Sequence, residues 1–284
     1  MRLFEAKDLT KYYGHRAVVN QVSFSVNRGE VVGMLGPNGA GKTTAFRMSI
    51  GMIRPAKGKV FFEDREVTKR PMYKRARAGM SYLAQEPSIF QRMTVKDNLM
   101  AILEMQSFTR KERQRKAAEM LEEFGLTHLS EHSADTLSGG ERRRLEIARA
   151  LCIEPTLVLM DEPFTGIDPI AVNEIQELVA SLKYRGIGVL ITDHNVLEAL
   201  RITDRAYILS EGEILSHGTS EELLEDPVAR QAYLGYRIQH VHIGGEDTST
   251  PLPRAHRGHA NPDKEDVAWQ NVVPKWSNDD EEED

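Results

Sequence analysis

Hydrophobic residues along this chain follow two rhythms. From Leu3 to Val26, short apolar runs alternate with polar breaks, which predicts short β-strands separated by turns. After Arg28-Gly29 comes the continuous run Val31-Val32-Gly33-Met34-Leu35, read as a strand. A helical pattern follows through Ala45, Phe46, Met48 and Ile50 and stops at Gly51. A further strand pattern lies at Gly58 to Phe62. Between Thr94 and Leu151 the spacing turns helical: Ala117, Met120, Leu121 and Phe124 share one face before Gly125 ends the run. Strand-like runs return at Thr156 to Met160 and at Gly188 to Thr192. The helix between them would be capped by Asp168, with Pro169 in its first turn. Glu211-Gly212 reads as a hairpin turn, and the ordered body is expected to end near Gly235. The order predicts a parallel α/β core interrupted by a helical insertion, with no internal repeat.

The richest chemistry lies between the first buried strand and its helix. Gly36, Pro37, Asn38, Gly39, Ala40, Gly41, Lys42, Thr43 and Thr44 fit the phosphate-binding pattern G-x-x-x-x-G-K-[ST]. The glycines let the loop curl so that backbone N–H groups face phosphate oxygens, and the helix N-terminus adds partial positive charge. Lys42 would reach the outer phosphates, and the Thr43 hydroxyl would hold Mg²⁺. The plain alternative is a Gly-rich turn with a surface lysine. Downstream, Leu157-Val158-Leu159-Met160-Asp161-Glu162 is an apolar strand ending in two carboxylates. Asp161 would hold the metal through water and Glu162 would act as general base, unless Asp-Glu-Pro is simply a turn. Leu137-Ser138-Gly139-Gly140-Glu141 supports two compatible readings. One is a capping box with Ser138 as N-cap and Glu141 at N3; the other is an anion site at a bare helix start.

Composition narrows the class. Of 284 residues, 40 % are hydrophobic and 28 % charged, ordinary for a globular chain with a substantial core. No apolar run approaches the ~20 residues of a membrane span, so the chain is expected to be neither secreted nor membrane-spanning. The single cysteine, Cys152, excludes an internal disulfide and any CxxC site. The net charge of −6 belongs to residues 236–284, which hold 11 Asp/Glu against 5 Lys/Arg and leave 32 of each sign in residues 1–235. The body therefore offers no overall basic field for nucleic acid. The acidic tail, rich in Gly and Pro, reads as disordered, and its scattered histidines do not make a metal site.

GPNGAGKTT, LSGGE and LVLMDEP, in that order, resemble the nucleotide-binding subunit of an ATP-binding cassette (ABC) transporter, over about residues 2 to 235. The resemblance implies an α/β P-loop ATPase with a RecA-like core, an antiparallel β subdomain and a helical subdomain inserted at about 87–155. Residues 1–235 would form the ATPase domain and 236–284 its tail. It further implies ATP and Mg²⁺ as cofactors and a head-to-tail homodimer in which Ser138, Gly139, Gly140 and Glu141 of one chain face the phosphate loop of the other. By the same resemblance, Tyr13 stacks on adenine, with Tyr12 a rival. Gln85 touches Mg²⁺ and the attacking water, Asp168 signals across the dimer, and His194 contacts the γ-phosphate and orients the base.

Less generic text, including Ser88 to Val95, Gly140 to Arg144 and Ile191 to Val196, is similar to the ATPases of bacterial lipopolysaccharide export. That resemblance implies ATP-driven lipid extraction under two transmembrane permease subunits, with the chain peripheral to the cytoplasmic face of the inner membrane and only indirect contact with the lipid. Phe90 would meet a permease coupling helix or else pack in the core. Arg142-Arg143-Arg144 would bind acidic groups of a permease or cover a solvated helix face. A branched-chain amino-acid uptake ATPase remains an alternative within transport. A soluble switch acting on nucleic acid or ribosomes is one outside it.

Overall fold

The computed structural model describes residues 1–165 and 169–230, excepting the side chains of 169–171. Asp168, the expected domain boundary near 235 and the acidic tail lie outside the described residues. In chain order the elements are β1 (Arg2–Tyr13), β2 (Arg16–Asn27), β3 (Val31–Leu35), α1 (Lys42–Ile50), β4 (Lys57–Phe62), β5 (Arg65–Glu66), α2 (Met72–Ala76), β6 (Met80–Leu83), α3 (Val95–Leu103), α4 (Arg110–Glu123), α5 (Gly139–Leu151), β7 (Leu157–Asp161), α6 (Pro169–Tyr184), β8 (Gly188–Asp193), α7 (Val196–Leu200), β9 (Arg205–Ser210), β10 (Glu213–Thr219), α8 (Ser220–Glu225) and α9 (Pro227–Ala229). None of the described helices is long and apolar enough to cross a membrane.

Two sheets form. One is antiparallel, in the order β2-β1-β4-β5; the other runs β10-β9-β3-β8-β7-β6. In the second, β9, β3, β8, β7 and β6 are mutually parallel and β10 closes the edge antiparallel to β9. The short strands and turns expected before Val26 are instead two strands of 12 residues. Their polar interruptions are irregularities inside the ladder: register shifts flank Ala6, Leu9 and Lys11, and Asp8 and Gln21 take φ near +50°. A bulge keeps a strand going past a pattern break that reads as a turn.

The parallel strands are buried on both faces, so alternate residues feed different cores. Val31, Val158, Met160, Val189 and Ile191 pack with the helices α3 to α6. Val32, Met34, Leu157, Leu159 and Leu190 pack with α1 and the antiparallel sheet. On α4 the predicted face is the buried one, with Ala117, Leu121 and Phe124 inside and Met120 partly so; Gly125 ends the helix at φ 63°. Cys152 is a buried core thiol, and burial pushes its pKa up to about 12.

Register decides where the chemistry gathers. Leu35 of β3 pairs with Asp193 of β8, Asp161 of β7 with Thr192, and Leu83 of β6 with Met160. The segments leaving these strands therefore emerge along one carboxyl edge, the place where open α/β sheets bind ligands.

Candidate nucleotide site

The phosphate loop begins where β3 ends. Gly39 (φ 82°) and Gly41 (φ 102°) adopt the left-handed backbone that glycine tolerates, and Gly41 is the N-cap of α1. A Cβ on Gly41 would lie 2.5 Å from the Val18 carbonyl oxygen, so no larger residue fits there without displacement. The β9–β10 hairpin holds the loop from outside. The Gly212 N–H donates to Ala40 O at 3.0 Å, while Gly212 O accepts from the Asn20 N–H at 2.8 Å. A cavity of about 250 Å³ opens over the loop, lined by Val18, Asn38 to Thr44 and Glu162.

Lys42 is only 4 % exposed. Its ammonium donates to Gly36 O and, at 3.0 Å, to Pro37 O. Burial lowers its pKa, and the charges of Glu162, Asp193 and Asp161 oppose that shift. A buried cation beside a glycine loop that opens a helix is arranged for a polyanion.

At the end of β7, Asp161 is buried. Its Oδ1 accepts from Thr192 Oγ1 at 2.5 Å and its Oδ2 from the Tyr82 hydroxyl at 3.4 Å. Burial raises its pKa; the Thr192 hydrogen bond works against that shift, and the neighbouring Glu162 charge adds to it. The next residue, Glu162, takes φ 46°, unusual for a side-chain-bearing residue, and its N–H donates to Thr192 O at 2.9 Å. That turn aims the carboxylate along the edge. Glu162 Oε2 accepts from Gln85 Nε2 at 3.0 Å and Thr165 Oγ1 at 3.1 Å, and lies 3.2 Å from His194 Nδ1. Gln85, Glu162 and His194, which lie far apart in sequence, thus meet on one oxygen atom. Asp193 is buried, with Oδ1 on the Asn195 N–H at 2.7 Å and Oδ2 without a partner among the described residues. Burial raises its pKa.

Thr43 sits in the first turn of α1 at the cavity wall. The oxygen donors of Thr43, Asp161 and Gln85, with Asp193 on the strand beside Asp161, suit a hard divalent cation that keeps waters and phosphate oxygens. Among the described residues no cluster of three His, Cys, Asp or Glu forms a self-contained metal cage.

Ser138 and Glu141 form the capping box. The Ser138 hydroxyl and N–H donate to Glu141 Oε2 at 2.7 and 2.8 Å, and the Glu141 N–H returns to Ser138 Oγ at 3.4 Å. These bonds lower the pKa of Glu141. A Cβ on Gly139 would meet nothing within 4 Å, so this helix start faces open space. Tyr12 and Tyr13 end β1 with exposed rings, and the Lys11 ammonium lies 5.8 Å from the Tyr13 ring centroid. Neither tyrosine is among the residues lining the loop cavity.

In the arginine triplet, Arg143 departs from the solvated-face expectation, being buried, while Arg142 and Arg144 are half-buried. Arg142 donates to Leu137 O at 3.2 Å, and Arg144 pairs with Glu174 of α6. Arg143 is 7 % exposed and pairs at 2.9 Å with buried Glu146, while also donating to Ala84 O at 3.2 Å. Glu146 accepts from the Ser88 N–H at 2.8 Å. One turn on, Arg149 donates to Ser88 O at 2.6 Å and stacks 4.6 Å from the Phe90 centroid. The helix that begins at Ser138 thereby grips the loop that begins at Gln85. Phe90 is 44 % exposed rather than core, and its backbone is clamped by buried Asn98 through bonds of 2.8 and 3.0 Å. Thr192, Thr165 and Tyr82 are site residues that sequence reasoning missed. The signal available for Thr192 was a hydroxyl inside an otherwise apolar strand.

A family model described as ABC transporter matches residues 19–165. The lipopolysaccharide export system ATP-binding protein LptB of Acidithiobacillus ferridurans is 52 % identical over 84 % of this chain and 98 % of its own length. LptB of Escherichia coli K12 is 48 % identical over 83 % and 98 %. Among solved structures, the ADP conformation of an ATP-binding cassette of an ABC transporter superposes with a TM-score of 0.76 at 31 % identity, covering 83 % of this chain and 99 % of that one. A dimeric cassette bound to ADP and phosphate gives 0.69 at 25 %, covering 77 % and 99 %. With its phosphate loop, paired carboxylates and glutamine–glutamate–histidine convergence on one sheet edge, this chain belongs to the ATP-hydrolysing ABC transporter family.

Proposed function

We propose that this chain is the ATP-hydrolysing subunit of a lipopolysaccharide-export transporter, acting as a homodimer beneath two permease subunits on the cytoplasmic face of the inner membrane. The chemistry rests on one observation above all: Gln85, Thr165 and His194 converge on Glu162 Oε2 beside the phosphate-loop cavity. The assignment of cargo is supported by relatives named for lipopolysaccharide export at 48–52 % identity over nearly their whole length.

In this reading ATP lies with its phosphates in the loop, held by backbone N–H groups and Lys42, and with Tyr13 or Tyr12 against the base. Thr43, Asp161 and Gln85 would hold Mg²⁺, which would supply positive charge to the phosphate oxygens. Glu162 takes a proton from the attacking water, and His194 fixes the carboxylate and meets the γ-phosphate. Gln85 holds Glu162 through Nε2, which leaves its Oε1 free to serve as a metal ligand, and the segment it begins is gripped by α5 through Ser88. Ser138, Gly139, Gly140 and Glu141 of one copy complete the site of the other, where a phosphate oxygen competes with Glu141 for the Ser138 hydroxyl. Asp168 would relay between the copies. Phe90, backed by Arg149 and open on its outer side, offers an aromatic anchor for a permease helix. Closure performs work because ATP binds the closed pair better than the open one.

The test is affinity capture of this chain from its native membranes in mild detergent, with mass spectrometry of what accompanies it. Two lipopolysaccharide-export permeases are expected. Amino-acid permeases, or ribosomal proteins without any permease, would overturn the assigned role.

A further inference from the structure

Arg75 lies in a basic stretch, Lys69 to Arg77, that reads as solvent-facing, yet it is 1 % exposed and heads the largest fully buried side chains among the described residues. Every bond from its guanidinium goes to a backbone carbonyl. Nε donates to Arg70 O at 2.9 Å, Nη2 to Thr68 O at 3.0 Å, and Nη1 to Met48 O at 3.0 Å and Ser49 O at 2.5 Å. No acidic side chain forms an ion pair with it among the described residues. Burial lowers its pKa to about 10, which leaves it charged at neutral pH.

A buried cation without a counter-ion needs a reason to persist, and the helix supplies one. Met48 and Ser49 belong to the last turn of α1, whose carbonyls form its negative pole; Met48 O also accepts from the Gly51 N–H at 3.3 Å. Gly51 caps that end at φ 83°, and a Cβ there would lie 2.6 Å from Arg75 Nε. The carbonyls, the glycine and the guanidinium form one closed socket. The opposite pole of the same nine-residue helix starts at Gly41 and Lys42. A helix this short has little stability of its own, so its placement depends on its neighbours.

We propose that Arg75 is a positioning residue for the nucleotide site. Its guanidinium pins the carboxyl end of α1 to the Thr68–Arg70 segment and so fixes the axial and rotational setting of the helix that carries Lys42, Thr43 and the loop N–H groups. Arg75 touches neither nucleotide nor metal; it acts through α1. The inference rests on the reading that this loop binds ATP.

The experiment uses the full chain and measures binding of a fluorescent ATP analogue, KM and kcat for ATP, and melting temperature, in wild type, Arg75→Lys and Arg75→Ala. A lysine ammonium cannot span carbonyls on both sides of the socket. The expected result is an ATP affinity weakened by about tenfold, with KM rising in parallel and kcat at saturation within about twofold of wild type. Added methylguanidinium should restore affinity to Arg75→Ala. Lowered melting temperature with unchanged ATP affinity, or a loss of kcat at unchanged KM, would overturn the proposal. Should the Arg75 variants fail to fold, Gly51→Ala, which crowds the guanidinium without removing it, is read by the same criteria. Wild-type chain that bound no ATP would remove the underlying reading. Wild-type binding matched by equal binding in the variants would remove only this inference.

Discussion

The carboxyl edge of the parallel sheet and the grip of α5 on the Gln85–Phe90 loop are both buried polar assemblies, but they are finished differently. At the sheet edge Asp193 Oδ2 has no partner among the described residues, Asp161 is held by two hydroxyls, and Glu162 sits in a left-handed backbone conformation. In the α5 grip, Arg143 and Glu146 neutralise each other and between them bond Ala84 O and the Ser88 N–H. The first assembly is left with capacity for ligands. In the second the two charges cancel in one ion pair, although Arg143 Nε and Nη2 are left without hydrogen-bond partners among the described residues. Buried charge alone therefore does not mark a binding site; carboxylates in excess of their cations, gathered at the carboxyl edge of the sheet, do.

The comparison breaks most directly at Arg143. Arg143→Ala leaves Glu146 buried without its cation and is expected to cost about 3–5 kcal/mol of stability, read by denaturant unfolding. A loss below 1 kcal/mol would show that the grip is not a closed ion pair. Asp161→Asn should act in the opposite direction. It removes a carboxylate that burial destabilises, so the ligand-free variant is expected to gain about 1 kcal/mol while hydrolysis is lost. The sign follows from linkage. With its folded pKa raised, Asp161 is accommodated at no cost below its unfolded pKa, and stability is lost as pH rises through the folded value. The advantage of the asparagine variant should therefore widen over that interval and then level off, which thermal melts across pH would follow. Ser138→Ala is expected to match Asp161→Asn in size, with the opposite sign. It removes an N-cap worth about 1 kcal/mol, and the loss should appear without nucleotide, before any partner chain engages.

How far the sequence foretold all this depended on whether a residue's partners were local. The phosphate loop, the strand ending in Asp161-Glu162 and the Ser138/Glu141 box were legible because each is a short pattern with its own chemistry. His194 and Gln85 took meaning only from resemblance, since their common partner, Glu162, is brought to them by strand register. The arginine triplet stayed open: Arg143 had Glu146 one turn away, but nothing local showed that the Ala84 carbonyl would cover it. The early strands were longer than their pattern because bulges at Asp8 and Gln21 break the alternation without ending the ladder.

The central claim is that Glu162 accepts the proton of the water that attacks ATP. Glu162→Gln keeps the size of the side chain and removes its basicity, so the decisive measurement pairs ATP binding with phosphate release on the same preparation. Binding should remain within a fewfold of wild type, turnover should fall at least about 100-fold, and ATP should hold the chain as a dimer. Phosphate release at the wild-type rate would contradict the account.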